Sequence, residues 1–353
     1  MSATALRAAV IGTGRVAVQH LGCLKRLPSA RVVAVCDVSR GRAEAAATRW
    51  GVPSWYVDHR RLLEDRAPDV VHVTTPPGSH AAIALDALAA GSHVIVEKPA
   101  ARDPAEVDRL IDAASHARRR LVESYTYVFS PQVQRLLGLA RSGELGAVVH
   151  VDASLALGIL EPGSPFADPR LRHPALDRPG GAISDFLTHL ASLAVAFAGP
   201  HRQVATLWQD TNGGPVHTFG EMRALVEGEA ATAGLSFSAS ARPEGFWLRV
   251  EATHGRAVAN LFGTHLSIER VRTCSRPVEA LVNDLRASRD AAAAAASGVV
   301  GKLSGGPGSY TGLWTVIERT YRALAEGVDG PVAPADIRAV NGLVAELTKD
   351  GRR

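Results

Sequence analysis

The first 124 residues alternate between short, continuous apolar runs and longer segments whose apolar residues have helical spacing. Uninterrupted apolar strands separated by helices are typical of a parallel sheet that is covered on both faces. The pattern therefore predicts a doubly wound α/β domain over residues 1–124. Its predicted strands are 7–11, 31–36, 70–74, 93–96 and 121–124, and its predicted helices are 16–25, 41–49, 81–90 and 104–117.

Beyond residue 124 the pattern changes to longer strands with few helices between them. Residues 149–154 alternate between apolar and polar, as a strand with one wet face does. Short turns that contain glycine favour antiparallel pairing of neighbouring strands. The pattern predicts a second, α+β domain over 125–353 with a large, mostly antiparallel open sheet. After a helix over 131–141, the predicted strands are 147–157, 203–209, 221–227, 231–240, 246–251, 256–262 and 265–271.

Helices interrupt and end this second series. One is predicted over 181–198, and two more are predicted over 315–326 and 335–348. Six consecutive alanines followed by Ser304-Gly305-Gly306-Pro307-Gly308 predict a helix and then a mobile loop over 290–309.

Composition narrows the class of protein. The chain has 353 residues, of which 46% are apolar and 21% are charged, and this is typical of a globular protein with more than one domain. No stretch approaches the roughly 20 apolar residues of a membrane span, and the first residues lack the pattern of a signal peptide. The net charge of +4 comes from scattered basic residues, which argues against nucleic acid as a partner. Three widely spaced cysteines (Cys23, Cys36, Cys274) predict no disulfide framework and no metal site, and we expect a cytoplasmic enzyme.

A glycine-containing turn follows the first predicted strand. Residues Gly12-Thr13-Gly14-Arg15-Val16-Ala17 have the pattern G-x-G-x-x-A between that strand and the first helix. The first glycine permits a tight turn, the second lets a diphosphate approach the backbone, and the helix N-terminus supplies N–H groups. A tight turn without a ligand is the alternative. The strand and helix on either side favour a dinucleotide site.

An acidic residue follows the second predicted strand. Asp37 lies 23 residues after Gly14, near the spacing of about 20 residues at which a carboxylate accepts hydrogen bonds from the adenine ribose. A carboxylate there repels the 2′-phosphate of NADP, whereas Arg40 and Arg42 can bind that phosphate. The residues favour NAD and leave NADP open.

Two further motifs follow the third and fourth predicted strands. They are the turn Thr74-Thr75-Pro76-Pro77-Gly78-Ser79-His80 and the tripeptide Glu97-Lys98-Pro99. The carboxyl ends of parallel strands meet at one edge of a sheet, where ligands bind. Lys98 is therefore either a solvated strand end or a cation directed into a cleft. Pro99 restricts the backbone of Lys98, and the bond between them is a candidate cis peptide.

These motifs resemble the glucose–fructose oxidoreductase, inositol dehydrogenase and rhizopine catabolism protein (Gfo/Idh/MocA) family of NAD(P)-dependent sugar and polyol oxidoreductases. The resemblance continues with Ser142-Gly143-Glu144-Leu145-Gly146 and with Gly180-Gly181-Ala182-Ile183-Ser184-Asp185-Phe186-Leu187-Thr188-His189. It covers residues 6–200 in order and spacing, and beyond them only the strand-rich pattern agrees. It implies a Rossmann domain over 1–124 and a substrate-binding, oligomerisation domain over 125–353.

The resemblance also implies roles for residues. Lys98 would hold the substrate oxygen, His189 would exchange the hydroxyl proton, and Asp185 would bind a neighbouring hydroxyl of a polyhydroxy substrate. The implied cofactor contacts are Gly12, Thr13, Gly14, Arg15, Val16, Asp37, Arg42, Thr75, Pro76, His80, Glu97 and Lys98.

The pair Asp185 and His189 is also reasonable on physical grounds. At positions i and i+4 of a helix both side chains lie on one face, and a negative charge is favoured in the first turn. An apolar stripe that includes Leu190 and Leu193 is predicted to seat the helix on the core. The alternative is a capping aspartate beside an incidental surface histidine. A histidine near neutral pH is suited to proton exchange.

Two segments depart from the family's usual pattern. The stretch after the fifth strand has Tyr127 where many relatives have a basic residue, so Tyr127 is a candidate substrate contact or a core tyrosine. The loop Arg170-Leu171-Arg172-His173-Pro174 contains Arg172, a candidate clamp for a carboxylate or phosphate, with a solvated basic loop as the alternative.

The second domain has more strands than its helices can cover. One sheet face is therefore predicted to need a second copy of the chain, which gives a homodimer or homotetramer. Cover by the alanine-rich helix over 280–296 is the alternative. For activity, two further hypotheses stay open: a non-catalytic NAD(P)-binding regulator, and an NAD-dependent hydrolase or lyase that works by transient oxidation.

Overall fold

The structure, a computed structural model, describes residues 5–168, 170, 174–210, 218–272, 275–303 and 308–351. Its strands, numbered in chain order, are β1 (Leu6–Ile11), β2 (Ala30–Cys36), β3 (Trp55–Tyr56), β4 (Val70–Val73), β5 (His93–Val96), β6 (Leu121–Glu123), β7 (Val148–Ala156), β8 (His201–Asp210), β9 (Phe219–Gly228), β10 (Thr232–Ser238), β11 (Gly245–Ala252), β12 (Gly255–Asn260) and β13 (Leu266–Arg270). Its α-helices are α1 (Ala17–Arg26), α2 (Arg40–Trp50), α3 (His59–Arg66), α4 (His80–Ala89), α5 (Pro104–His116), α6 (Pro131–Arg141), α7 (Leu187–Ala198), α8 (Arg276–Leu303), α9 (Thr311–Glu326) and α10 (Pro334–Thr348).

The chain divides into two compact units. The first contains Met1–Thr126 and Tyr310–Asn341, and the second contains Tyr127–Ser309 and Gly342–Arg353. The sequence predicts that all residues from 125 onwards form the second domain, whereas Tyr310–Asn341 belongs to the first unit. The reason is the apolar face of α9, whose buried Leu313, Val316 and Ile317 pack in the first unit, where α9 meets α1. Helical spacing identifies such a helix but does not say which sheet it joins.

The first unit holds a parallel sheet with the strand order β3-β2-β1-β4-β5-β6. The strand register pairs Ile11 with both Cys36 and Val73, and it pairs Val73 with Val96. The residues that follow these strand ends are Gly12, Asp37, Thr74 and Glu97. They therefore leave the sheet at one edge, as expected for a doubly wound fold.

Two elements of this unit are absent from the sequence prediction. The strand β3 has only two residues, so it leaves no periodic signal. The helix α3 is highly charged and buries only Leu62 and Leu63, and its N-terminus is capped by Asp58, whose carboxylate accepts a hydrogen bond from Arg60 N at 2.8 Å.

The second unit holds a seven-stranded sheet with the order β13-β12-β11-β7-β10-β9-β8. All neighbours are antiparallel except β10 and β7, which are parallel. One face packs on α7 and buries alternate residues such as Val151, Leu235 and Leu248. With the parallel sheet of the first unit, this mostly antiparallel sheet confirms the predicted fold class.

The predicted helix over 181–198 is two elements. A 3-10 helix spans Gly181–Asp185, and α7 begins only after Phe186. Gly180 and Gly181, which precede and start the 3-10 helix, have positive φ angles that favour glycine. The predicted apolar stripe is buried as expected, with Leu190 and Leu193 fully buried. The helix α7 also buries residues on its other sides, including Thr188 and Ser192.

The alanine-rich segment is longer and placed differently than predicted. It forms α8, which lies along the edge strand β13, where Asn283 hydrogen-bonds both backbone groups of Arg270. It leaves the open sheet face near Leu207 and Leu225 uncovered, since these side chains are 69% and 60% exposed. The loop predicted to be mobile falls mainly on 304–307, outside the described residues.

Candidate functional site

The turn after β1 is shaped for a close approach of backbone and ligand. Gly12 has φ +92°, and a Cβ there would lie 2.7 Å from the backbone carbon of Thr74, so the position requires glycine. A Cβ at Gly14 would meet no described atom within 4 Å. The helix α1 follows directly at Ala17, and the preceding Val16 gives its first N–H groups no side-chain cap. This open, uncapped helix entry fits a dinucleotide diphosphate.

Asp37 is held in place by the same turn. Its Oδ2 accepts hydrogen bonds from the backbone N–H and the hydroxyl of Thr13, both at 2.9 Å, and its Oδ1 accepts one from Ser39 N at 2.9 Å. Burial would raise the pKa of Asp37, but these hydrogen bonds and the charge of Arg42 lower it below its usual value. Asp37 is therefore an ionised acceptor beside the diphosphate turn, as a partner of ribose hydroxyls must be.

The two arginines after β2 differ in their surroundings. The guanidinium of Arg40 lies 5.3 Å from the ring centre of Trp55, in a cation–π contact. Arg42 lies in the first turn of α2, is exposed, and is close enough for its charge to act on Asp37. Of the two, Arg42 is thus the better placed to reach the ribose.

The turn after β4 is tied to the turn after β5 by His80. The ring nitrogens of His80 contact the carbonyl oxygens of Thr75 at 2.7 Å and Pro99 at 2.8 Å. Burial lowers the pKa of His80, so its neutral ring donates to one of the two carbonyls at a time. His80 therefore positions two loops at the ligand edge of the sheet. Pro76 is exposed, as a cofactor contact would be.

The tripeptide after β5 places a cation beside a buried carboxylate. The Lys98–Pro99 peptide is cis, which confirms the expectation from the sequence. Lys98 is half-buried, whereas Glu97 is buried and contacts His20 Nε2 at 3.0 Å. Glu97 is thus engaged inside the protein, and Lys98 is the member of the pair that is nearer to solvent.

In the second unit, Asp185 and His189 flank the break before α7. The His189 backbone N–H donates to Phe186 O at 3.0 Å, which starts the helix. Asp185 ends the preceding 3-10 helix, so the two residues lie on either side of the break. This corrects the expectation of one continuous helix face.

Asp185 has a charged partner that sequence reasoning missed. Arg178 Nη2 donates to Asp185 Oδ1 at 2.6 Å, and both side chains are about a third exposed or less, at 30% and 27%. Arg178 lies two residues before the motif that starts at Gly180, and only its spacing from Asp185 hints at the pairing. A carboxylate that accepts a hydrogen bond from a guanidinium is held in one orientation.

The ring of His189 packs against Tyr127. Their ring centres lie 4.9 Å apart in an edge-to-face arrangement, and Tyr127 makes a similar contact with Phe246 at 4.6 Å. The half-buried Tyr127 therefore restricts the orientation of His189. These ring contacts fit the interpretation of Tyr127 as a core tyrosine, and its role as a substrate contact stays a prediction.

Arg172 lies outside the described residues, and its neighbour Arg170 is exposed. Within the described ranges, no cluster of three or more histidine, cysteine or carboxylate side chains is arranged to hold a metal ion. In the same part of the chain, every helix is too short or too polar to cross a membrane.

Comparisons with known proteins find similar oxidoreductases. The sequence pattern of an oxidoreductase family with an NAD-binding Rossmann fold (GFO_IDH_MocA) matches residues 6–125. The chain is 29% identical to D-xylose 1-dehydrogenase (NADP(+)) 2 of Haloferax volcanii over 71% of its own length and 74% of that protein. It is 33% identical to inositol 2-dehydrogenase of Salmonella paratyphi B, over 41% of its own length and 44% of that protein.

A solved structure extends the likeness to the whole fold. The WlbA dehydrogenase of Bordetella pertussis, in complex with NADH and UDP-GlcNAcA, superposes with a TM-score of 0.78 at 17% identity. The match covers 100% of this chain and 98% of that one, so both units share its architecture. The resemblance seen in the sequence motifs is confirmed: residues 6–125 match the NAD-binding Rossmann domain of the Gfo/Idh/MocA oxidoreductases, and the curated relatives are xylose and inositol dehydrogenases.

Proposed function

We propose that the protein transfers a hydride between NAD and a carbinol carbon of a sugar, cyclitol, nucleotide sugar or similar polyhydroxy compound. One observation carries the proposal. The register of the first sheet brings the diphosphate turn at Gly12, the ribose acceptor Asp37 and the cation Lys98 to the same edge. The names of the relatives, which act on xylose and inositol, support this substrate class.

The mechanism assigns each residue a separate task. The bound nicotinamide supplies the redox chemistry. His189 takes the proton of the substrate hydroxyl during oxidation and returns it during reduction, in an orientation restricted by Tyr127. Lys98 donates a hydrogen bond to the substrate oxygen and stabilises the negative charge that develops there. Asp185, held by Arg178, accepts a hydrogen bond from a neighbouring substrate hydroxyl.

The test is direct turnover with a panel of substrates. The purified protein with NAD is expected to produce NADH in the presence of at least one aldose, cyclitol or nucleotide sugar. Binding of NAD without net NADH formation on the whole panel, but with conversion of a substrate, would instead indicate transient oxidation in a hydrolase or lyase. Binding of NAD without any conversion would indicate a regulator.

The preference for NAD is expected to depend on Asp37. Asp37→Ala should weaken NAD binding by about tenfold, since it removes a charged acceptor of ribose hydrogen bonds, and should weaken NADP binding less. Fluorescence titration with both nucleotides measures this, with Asp65→Ala on the exposed side of α3 as the control. If the wild type binds NADP at least tenfold more tightly than NAD, Arg42 governs the choice and the assignment is wrong.

We further propose that the open face of the second sheet joins two or more copies of the chain. This face carries a shallow depression of about 540 Å³ that is lined by Leu207 and Leu225 among polar residues. Both leucines are more than half exposed, and Trp247 on β11 is 44% exposed on the same face. An exposed apolar group of this kind is typical of a subunit interface, and closed symmetric dimers are the commonest solution.

Charge substitutions at neighbouring residues of β11 test this interface and show which residues of the strand face it. Trp247→Asp should reduce the particle mass measured by light scattering towards the 37.1 kDa of one chain, because a charge would enter the interface. Leu248→Asp should instead prevent folding, because Leu248 is fully buried on the other face. Val57→Asp, at an exposed apolar position of the first unit, is the control. A wild-type particle of 37.1 kDa at micromolar concentration would contradict the proposal.

We also propose a cytoplasmic location. Cys23 and Cys36 are buried free thiols, and burial raises the pKa of each to about 12. Free thiols are usual in a reducing compartment.

A further inference from the structure

A chain of four buried polar side chains runs through the first unit. The hydroxyl of Tyr321 on α9 contacts His72 Nε2 at 3.0 Å, and His72 Nδ1 contacts His20 Nδ1 at 2.8 Å. His20 Nε2 then contacts Glu97 Oε1 at 3.0 Å. Tyr321, His72 and His20 are fully buried, and Glu97 is 8% exposed. Nothing in the proposed mechanism uses the first three of these residues.

Burial determines which atoms of these four side chains carry a proton. Among the described residues, His72 is the one hydrogen-bond partner of the Tyr321 hydroxyl, so the hydroxyl must donate to His72 Nε2 or leave its hydrogen unpaired in the core. Burial keeps the pKa of His72 well below its usual value, so the ring is neutral. A neutral ring that accepts at Nε2 carries its proton on Nδ1.

The same reasoning continues to the carboxylate. His72 Nδ1–H donates to His20 Nδ1, which is then an acceptor, and the proton of a neutral His20 is therefore on Nε2. That proton is donated to Glu97. All three hydrogen bonds therefore point in one direction, from the tail helix α9 to the carboxylate that precedes Lys98.

We propose that Tyr321, His72 and His20 form a directed hydrogen-bond relay that holds Glu97 as a carboxylate next to Lys98. The three residues are thus positioning residues for Lys98, and this inference rests on the proposed catalytic role of Lys98. The relay also gives a helix near the end of the chain a part in a site whose nucleotide-binding residues come from the first hundred positions.

Other charges around Glu97 are consistent with this assignment. Burial would raise the pKa of Glu97, but the hydrogen bond from His20 and the charge of Lys98 keep it below its usual value. Glu123 on β6 is the nearby acidic group, and the two carboxyl groups repel each other. The His20 hydrogen bond is the largest of the influences that favour the ionised form.

Nuclear magnetic resonance of the histidine rings tests the direction of the relay without substrate or cofactor. Nitrogen-15 shifts at neutral pH are expected to show a proton on Nδ1 and none on Nε2 for His72, and the reverse for His20. Tyr321→Phe should remove this single tautomer pattern. Tyr125→Phe is the matched control, because the buried Tyr125 hydroxyl donates to Glu123 instead. A proton on His72 Nε2 in the wild type would mean that the hydrogen bonds run in the opposite direction, and this would overturn the proposal.

Two variants of His20 test the effect on Glu97. In His20→Leu the carboxylate loses its donor, and its titration, followed by carbon-13 shifts, should move up by about one pH unit or more. His20→Gln retains an N–H donor and should restore most of the wild-type value. An unchanged titration of Glu97 in a folded His20→Leu protein would overturn the relay. If His20→Leu does not fold, the histidine tautomers of the wild type still show whether the relay has the proposed direction.

The kinetic consequence separates this proposal from the proposed function. If Lys98 is catalytic, kcat/KM should fall more steeply with decreasing pH in His20→Leu than in the wild type, because protonation of Glu97 is then added to protonation of the base, and His20→Gln should restore the wild-type slope. A correct tautomer pattern with an unchanged acidic slope would contradict the positioning of Lys98. If Lys98 turned out not to be catalytic, the expected tautomers and the expected titration of Glu97 would still hold.

Discussion

Replacing His189 with asparagine or Lys98 with methionine is expected to lower turnover by about 10² to 10⁴-fold, the usual effect of losing a positioned acid–base group. His189→Asn removes the group that exchanges the substrate proton, and Lys98→Met removes the cation that holds the substrate oxygen. The affinity for NAD should stay nearly unchanged, because the diphosphate turn and Asp37 are intact. Steady-state kinetics at saturating NAD and fluorescence titration of NAD measure the two quantities separately.

Matched substitutions of the same type serve as controls. His254→Asn changes an exposed turn residue between β11 and β12, and Lys25→Met changes an exposed residue at the end of α1. The double variant of His189 and Lys98 should lose little more activity than either single variant if the two residues act as one unit. Near-wild-type turnover of His189→Asn, with chemistry as the slow step, would remove His189 from proton transfer.

The nucleotide half of the site follows from local sequence. Gly12 and Asp37 come directly after apolar runs, and Lys98 comes one residue after the end of another. The rule that parallel strand ends share one edge brings the three together without further information. The structure adds the register that aligns Ile11, Cys36, Val73 and Val96. The short strand β3 and the charged helix α3 escape prediction because neither has a periodic apolar pattern.

The contacts that tune the site could not be predicted in the same way. Arg178 pairs with Asp185 at the end of a 3-10 helix, in a segment where the sequence predicts one continuous helix. The relay joins His20, His72 and Tyr321 from three elements that are distant in the sequence. Each of these residues taken alone is an ordinary polar residue, and only the tertiary packing of α9 gives Tyr321 a partner.

A second buried carboxyl group makes stability depend on pH. Glu123 is fully buried, and its Oε2 accepts hydrogen bonds from Tyr125 at 2.9 Å and Asn341 at 2.6 Å. Burial raises the pKa of Glu123 from 4.5 to about 7, with a contribution from the charge of Glu97, and the hydrogen bonds only partly oppose this. In the unfolded chain the group is ionised above pH 4.5, whereas in the folded protein it keeps its proton up to about pH 7.

The sign of the effect follows from proton binding. Between pH 4.5 and about 7 the folded state binds more protons than the unfolded state, so the free energy of unfolding falls as the pH rises and then levels off. The difference corresponds to about 3 kcal/mol at most. Glu123→Gln, which has the shape of the protonated acid, should remove this loss. It should therefore be more stable than the wild type at pH 8 by about 1 to 3 kcal/mol and nearly equal to it at pH 5.

Urea unfolding followed by tryptophan fluorescence at the two pH values measures this difference. Glu44→Gln on α2 is the control, because Glu44 is exposed and folding leaves its carboxylate in water. If Glu123→Gln were less stable than the wild type at pH 8, the hydrogen bonds from Tyr125 and Asn341 would stabilise the ionised form enough to outweigh burial. Glu123 would then be a second buried carboxylate close to Glu97. The repulsion between the two carboxylates would disfavour the ionised form of Glu97 beside Lys98.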